Sequence, residues 1–451
     1  MQVIHAARAL LPQGWASDVR FGIDAGRFAS VEIAAAAQAG DERHAIVLPG
    51  MPNLHSHAHQ RGMAGLAEQR GPSADSFWSW RELMYRFALA MRPEQLEAIA
   101  SQLYVEMVEA GFTRVGEFHN LHHDRDGRPY ANPAEMAERL AAAADFSGIG
   151  MTLLPVFYAH SGFGGAAAGE AQRRFINDLA DYARLLDASR AALKGLDGAI
   201  VGVAPHSLRA VTPDELAAVV ALADGAPVHI HIAEQVQEVE ACIAWSGARP
   251  VQWLLDHAAV DARWCLVHAT HMNADETRRV AASGAVVGLC PITEANLGDG
   301  IFDAPSFIEA GGRYGIGSDS NVQIGVADEL RLLEYSQRLA QRARNVMAPA
   351  GGSTARAMFD AAVSGGHMAL GSTDPRGLCT GAPADMVSLA AQHPALAGRD
   401  GDALLDAWVF TGAPLVDCVW ARGRRQVSGG RHHRRDEVAK NFVATLQSLQ
   451  G

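Results

Sequence analysis

The chain has 451 residues, 49% of them hydrophobic and 20% charged, with a formal net charge of −12. That balance describes a globular chain with a large core, and it argues against a surface that follows nucleic-acid phosphates, which would need a basic patch. No run of about 18 apolar residues occurs and the opening MQVIHAARALLPQGW has neither a basic start nor a long apolar stretch, so no membrane span and no signal peptide are expected.

From the start of the chain to residue 45, strand-like pieces such as VRFGIDAGRFASVEI are broken by glycine. Eight short apolar, β-branched runs follow: 46–54, 113–118, 150–158, 199–205, 227–233, 264–269, 284–290 and 313–319. Helix-like stretches separate them. RPEQLEAIASQLYVEMVEAG (92–111) has proline near its start and glycine at its end, TPDELAAVVALADG (212–225) opens on a Thr-x-x-Glu capping box, and NADETRRVAASG (273–284) begins on an asparagine cap. Beyond about residue 375 strand-like pieces return, among them ADMVSLAA, AWVFTG and DCVWARGRRQVSGG, and RHHRRDE (431–437) reads as a solvated charge run.

Eight strands alternating with helices predict a parallel sheet closed into a (β/α)₈ TIM barrel, residues 48–371. The two ends, 1–47 and 372–451, predict one small β unit built jointly. The five cysteines form no CxxC pair, and Cys265 and Cys290 lie in apolar runs as small buried side chains, which suits a reducing compartment such as the cytoplasm.

In such a barrel the chemistry gathers at the C-terminal ends of the strands. The first strand delivers LPGMPNLHSHAHQR, with His55, His57 and His59 at alternate positions that strand geometry would place on one face. The fifth brings His229 and His231, the sixth His268 and the eighth Asp319. Imidazole nitrogens and a carboxylate are a donor set for Zn²⁺, with Fe²⁺ or Mn²⁺ as alternatives, and three histidines with one aspartate leave room for water. His229 alternates with His231 one layer deeper and reads as a core or supporting residue. Glu234, three residues after His231, is placed to move a proton beside the ion. The only lysines, Lys194 and Lys440, lie away from the strand ends, so no lysine is available to bridge two metals and one divalent ion is expected. His119, His122 and His123 crowd the loop after the second strand and read as ordinary polar loop residues.

HxH on the first strand, HxxE on the fifth, His on the sixth and SD on the eighth resemble the amidohydrolase superfamily, in its mononuclear deaminase branch. The stretches MPNLHSHAHQRGMAGLAE, SFWSWRELMYR, HSLRAVTP, VHIHIAEQ, WCLVHATH, TEANLGDGIF and GIGSDSNV, spread over the whole barrel, are similar to formimidoylglutamate deiminases of histidine degradation. The resemblance implies that the joint β unit of 1–47 and 372–451 is a β-sandwich domain. It implies hydrolysis of N-formimidoyl-L-glutamate to N-formyl-L-glutamate and ammonia, and a homodimer. It implies His55, His57, His231 and Asp319 as metal ligands, Glu234, His268 and Asp319 as catalytic groups, and Gln60, Arg81, His206 and Arg209 as substrate-binding groups. Two positions depart from the pattern: His59 stands where an aromatic is expected and Asn120 where a tyrosine is expected.

The substrate so implied has two carboxylates, and arginine's planar fork suits each of them. Arg81, in an aromatic-rich loop with Phe77, Trp78 and Trp80, and Arg209, after the fourth strand, both fall on the catalytic rim. The competing readings are a deaminase of an aromatic base or a guanidino compound, and a barrel without catalysis serving as a scaffold.

Overall fold

The computed structural model describes residues 2–70 and 76–450. Two arcs of parallel strands form the barrel. Met51–Ser56, Phe112–His119, Gly150–Phe157 and the interrupted pair Ile200–Val201 and Ala204–Pro205 make one arc. Val228–Ile232, Trp264–His268, Val286–Leu289 and Arg313–Ile316 make the other. Backbone hydrogen bonds stitch the arcs together at both seams. At one, Val203 N–H donates to Pro227 and His229 N–H to Val203 (2.9 and 3.0 Å). At the other, Asp319 N–H donates to His55 and His57 N–H to Asp319 (both 3.0 Å).

All eight expected runs therefore become barrel strands, with one difference of register between layers. The first run, read as a single strand over 46–54, is two. Glu42–Pro49 belongs to the outer sheet, and Gly50 breaks the chain before Met51–Ser56 enters the barrel. A Cβ on Gly50 would lie 2.3 Å from Thr113 Oγ1, so glycine is what lets the chain pass this close to the second strand.

The barrel interior below the rim is filled by Leu54, Cys265, Val267, Val286 and Cys290 with Ala369 and Leu370, all fully buried, and both cysteines sit there as small hydrophobes. His229 is in the same layer and donates through Nε2 to the Ala369 carbonyl (2.7 Å), which anchors it as a core residue.

The ends of the chain meet in one eight-stranded hydrogen-bonded path, in which Met386–Leu389 joins Glu42–Pro49 to the C-terminal strands and Gln2–Leu11 lies on its other side. Two expectations here change. AWVFTG is not a strand: Asp402–Phe410 is a helix, because Leu404, Leu405, Trp408 and Val409 recur at helical spacing and pack on the main core. RHHRRDE is only partly solvated: His432 is buried and its Nε2 meets the Ser147 carbonyl at 3.0 Å, before Arg435–Gln450 leaves as a helix.

Candidate active site

The seam between the first and eighth strands builds the site. The backbone exchange between His55, His57 and Asp319 fixes the HxH pair against the aspartate. Gly317 allows the approach, since a Cβ there would lie 2.8 Å from the His55 carbonyl oxygen. Ser318 and Asn321 lock the turn: Asn53 Nδ2 donates to Ser318 Oγ (2.7 Å), and Ser318 Oγ donates to Asn321 Oδ1 (2.6 Å). Ser320 bonds Thr293 Oγ1 (3.0 Å). These serines hold the backbone around Asp319 and leave its carboxylate free to face inward.

Asp319 has φ 44°, His268 φ 68°, Ala233 φ 51° and Asn321 φ 57°. Left-handed backbone at residues with a Cβ costs about 1–3 kcal/mol each and persists where the surroundings dictate it. Here it clusters at the strand exits that aim the polar groups.

His55, His57, His231 and Asp319 converge, each buried. His55 Nε2 lies 3.2 Å from His57 Nε2 and 3.0 Å from His231 Nε2. Asp319 Oδ1 lies 3.4 and 3.3 Å from the first two. His57 Nδ1 is 2.9 Å from the Phe118 carbonyl and His231 Nδ1 is 3.1 Å from that of His206, so both Nδ1 atoms donate. In the neutral rings the Nε2 of His57 and of His231 then carries a lone pair, and both face the Nε2 of His55, the arrangement of ligand atoms around one ion. Burial drives the His55 pKa down to about 3 and holds those of His57 and His231 low as well, which keeps all three rings neutral. Four ligands held about 2.0–2.1 Å from a tetrahedral ion stand about 3.3 Å apart, so the donor set and its spacing fit one divalent cation. His59 does not join them. The strand ends at Ser56 and His59 lies inside the 3-10 turn Ala58–Met63, so alternation stops before it, and its ring is buried to the side. The expected single face of three histidines holds for two.

Glu234 and His268 stand beside this cluster. His268 Nε2 is 3.8 Å from Glu234 and 3.7 Å from Asp319, and its Nδ1 is 3.2 Å from Glu294. Burial opposes a charge on His268, yet Glu234, Glu294 and Asp319 together raise its pKa well above the ordinary histidine value. Burial lifts the Glu234 carboxyl to about 7, with His268 and Arg209 pulling the other way. A carboxyl near neutrality can both take and give a proton. Asp319 is held low: burial alone would raise it, and the hydrogen-bonding contact with His55 and the charge favoured on His268 outweigh that.

Above the cluster opens a cavity of about 600 Å³, mouth included, lined by Gln60, Arg81, His206 and Arg209 as well as Glu234, His268 and Asp319. Every site residue expected from the sequence is thus brought to the cluster or to this cavity. Arg81 sits on a helix, Phe77–Ala90, rather than in a loop, because Ser76 caps it and the aromatic residues fall on its turns. Among the described residues neither Arg81 nor Arg209 has a hydrogen-bond or ion-pair partner, and Nε of each is buried. The salt-bridge alternative for them therefore finds no support. Asn120 lines the same cavity with its Oδ1 buried and unpartnered.

Three kinds of residue escaped the sequence reading. Glu294 orients His268 and accepts from Cys290 N–H (2.9 Å). Glu238 accepts from Ala233 and Glu234 N–H (3.2 and 3.1 Å), fixing the elbow that presents Glu234. Tyr85 and Tyr158 line the cavity. Glu294 and Tyr85 lie within the stretches TEANLGDGIF and SFWSWRELMYR, and Glu238 follows Glu234 by four residues, so the signals existed but carried no assignment. His122 and His123, by contrast, donate to the Val156 and Ile176 carbonyls (2.8 and 2.6 Å) and behave as the loop residues they were read as.

Comparison with known proteins agrees with this architecture. The model of the amidohydrolase family matches residues 46–425, and that of the N-terminal domain of formimidoylglutamate deiminase HutF matches residues 1–45. The formimidoylglutamate deiminase of Pseudomonas aeruginosa is 54% identical over 457 aligned positions, covering 100% of both chains. A 5-methylthioadenosine/S-adenosylhomocysteine deaminase of Natronomonas pharaonis is 29% identical, covering 84% of this chain and 81% of its own. The crystal structure of an amidohydrolase from Brucella melitensis superposes with a TM-score of 0.98 at 63% identity, covering 100% of both chains. The barrel, the convergent histidines and aspartate at its rim, and the match over residues 46–425 have one reading: the chain belongs to the amidohydrolase family.

Proposed function

We propose that the protein hydrolyses N-formimidoyl-L-glutamate to N-formyl-L-glutamate and ammonia, as in histidine degradation. The observation that carries this reading is a single cavity with a cation-shaped cluster of donors at its floor and two unpaired arginines on its wall. A dicarboxylate amidine complements both ends; a neutral nucleobase would leave two half-buried guanidinium groups without anions. The full-length likeness to the deiminase of Pseudomonas aeruginosa supports the same choice.

His55, His57, His231 and Asp319 would hold one divalent ion, zinc by the nature of the donors. Such an ion supplies a hydroxide nucleophile at neutral pH by lowering the pKa of water towards about 7. Asp319 accepts a hydrogen bond from the attacking oxygen and aligns it. Glu234 carries protons to the imino nitrogen, and both hydrogens of the added water end on that nitrogen as its bond to carbon breaks and ammonia leaves. His268, held by Glu294, faces the developing negative charge on oxygen. Arg81 and Arg209 bind the two carboxylates, and Gln60 and His206 contact the substrate between them. No helix among the described residues is long and apolar enough to cross a membrane, in keeping with a cytoplasmic enzyme. The homodimer expected from the family is checked by light scattering.

The deciding assay offers the metal-replete protein formimidoylglutamate, guanine, cytosine and guanidino acids, and measures ammonia. Release from formimidoylglutamate far above the others is expected; none from it overturns the assignment. Metal analysis of the same preparation is expected to return close to one zinc per chain, and a metal-free protein that still turns over would refute the proposed ligands.

A further inference from the structure

Two cations on the wall of one cavity repel each other, and among the described residues neither has a carboxylate as an ion-pair partner. What lies beside them is a ring. The Arg81 guanidinium carbon is 4.4 Å from the centroid of Trp78 and that of Arg209 is 5.9 Å from the same centroid. Arg81 also lies 5.6 Å from the Tyr85 ring. Trp78 and Arg81 share the helix Phe77–Ala90, whereas Arg209 comes from the segment after the fourth strand, so the indole lies beside carriers of positive charge from two separate elements.

An aromatic face attracts a guanidinium through its quadrupole and most strongly through tryptophan, while leaving the N–H edges of the fork free to donate. A carboxylate in the same place would have used up those donors. We infer that Trp78 is the positioning and specificity-determining residue of the carboxylate-binding end: by backing both arginines it holds two empty forks at one spacing, which favours a substrate with two carboxylates over one with a single carboxylate. This rests on the deiminase reading above, and it assigns Trp78 no contact with the reacting atoms.

The test compares wild type, Trp78→Leu and Trp78→Phe on N-formimidoyl-L-glutamate and on 4-(formimidoylamino)butyrate, which has the same chain with one carboxylate fewer. Loss of two cation–ring contacts is expected to raise KM for the dicarboxylate by about tenfold or more in Trp78→Leu, with kcat within about twofold. The preference for two carboxylates over one, read as the ratio of kcat/KM values, should fall by a similar factor, and Trp78→Phe, with a smaller face, should lie between. Unchanged KM and unchanged preference in Trp78→Leu would overturn the inference, as would a fall in kcat alone, which would mark a merely structural ring. Should Trp78→Leu not fold, an unaltered KM and preference in Trp78→Phe decides against it. Absence of turnover by wild type on formimidoylglutamate would remove the deiminase reading itself, and the inference with it.

Discussion

The two ends of the cavity are incomplete in opposite ways. At the floor, three neutral imidazole nitrogens and a carboxylate crowd one another 3.0–3.4 Å apart, a spacing that one cation would fill. On the wall, two guanidinium groups face the cavity with no ion-pair partner among the described residues, and an indole and a phenol lie against them. Folding alone rewards neither arrangement, since buried charge and unpaired donors both carry desolvation penalties. The floor asks for a permanent ligand, the wall for a transient one, and the difference separates cofactor from substrate.

Removing the carboxylate from the floor breaks the comparison hardest. Asp319→Ala is expected to cut kcat by on the order of a thousandfold or more, because it deletes both a ligand and the group that aligns the nucleophile. Near-normal turnover would show that the eighth strand has no chemical part. Chelation should act in the same direction and be reversed by zinc, and a chelated enzyme at full rate would say that the floor needs no ion.

On the wall the effect should fall on binding. Arg209→Ala is expected to raise KM by on the order of 100-fold, the loss of one charge-assisted bidentate contact, with a smaller change in kcat. An unchanged KM with a lowered melting temperature would return Arg209 to a structural role.

Glu238 lies between the two ends. It is 1% exposed, accepts the N–H groups of Ala233 and Glu234, and its charge is the leading one that favours the cation at Arg209, against the desolvation that opposes it. Glu238→Gln keeps one acceptor and places a donor against the second N–H. A fall of about tenfold in kcat/KM is expected from one charged hydrogen bond lost, shared between kcat and KM because both ends are touched. A change confined to KM would show that the elbow does not depend on it.

How much of this could be read in the chain depends on what each feature needs. Barrel strands announce themselves because each is buried on both faces and must be apolar and β-branched over its length. The site residues are legible because they fall at the ends of those runs: His231 is next to last in its strand, His268 ends one, and Asp319 follows one. Their partners are not, because orientation is set by backbone carbonyls, as at Phe118 and His206, or by acids from another element, as with Glu294. Nothing local in HSHAH tells that the strand stops at Ser56 and that His59 turns away. Asp402–Phe410 was misread for a related reason: in so short an apolar piece, AWVF fits a strand as well as a helix, and only the surface waiting for Leu404 and Trp408 decides.

A third buried charge, behind the floor, is settled in yet another way. Glu117 is 2% exposed and accepts the Ala58 N–H at 2.6 Å, beside the metal-side histidines but not among them. Burial raises its carboxyl to about 8, against the opposing pull of the Ala58 N–H and the nearby Ser56 and Tyr104 hydroxyls. A proton, rather than an ion or a substrate, neutralises it at pH 7. The sign follows: the folded pKa lies above the unfolded 4.5, so the associated stability is complete below 4.5, declines as pH rises towards 8, and changes no further above it. Glu117→Gln cannot titrate. In chelated protein, where no bound ion biases the comparison, the variant should therefore gain on wild type as pH rises through that window, by on the order of 1 kcal/mol per pH unit. Denaturant melts at pH 5 and pH 8 measure it. A constant difference at the two pH values would mean that Glu117 is ionised in the folded protein, and that the floor draws its field from a second carboxylate besides Asp319.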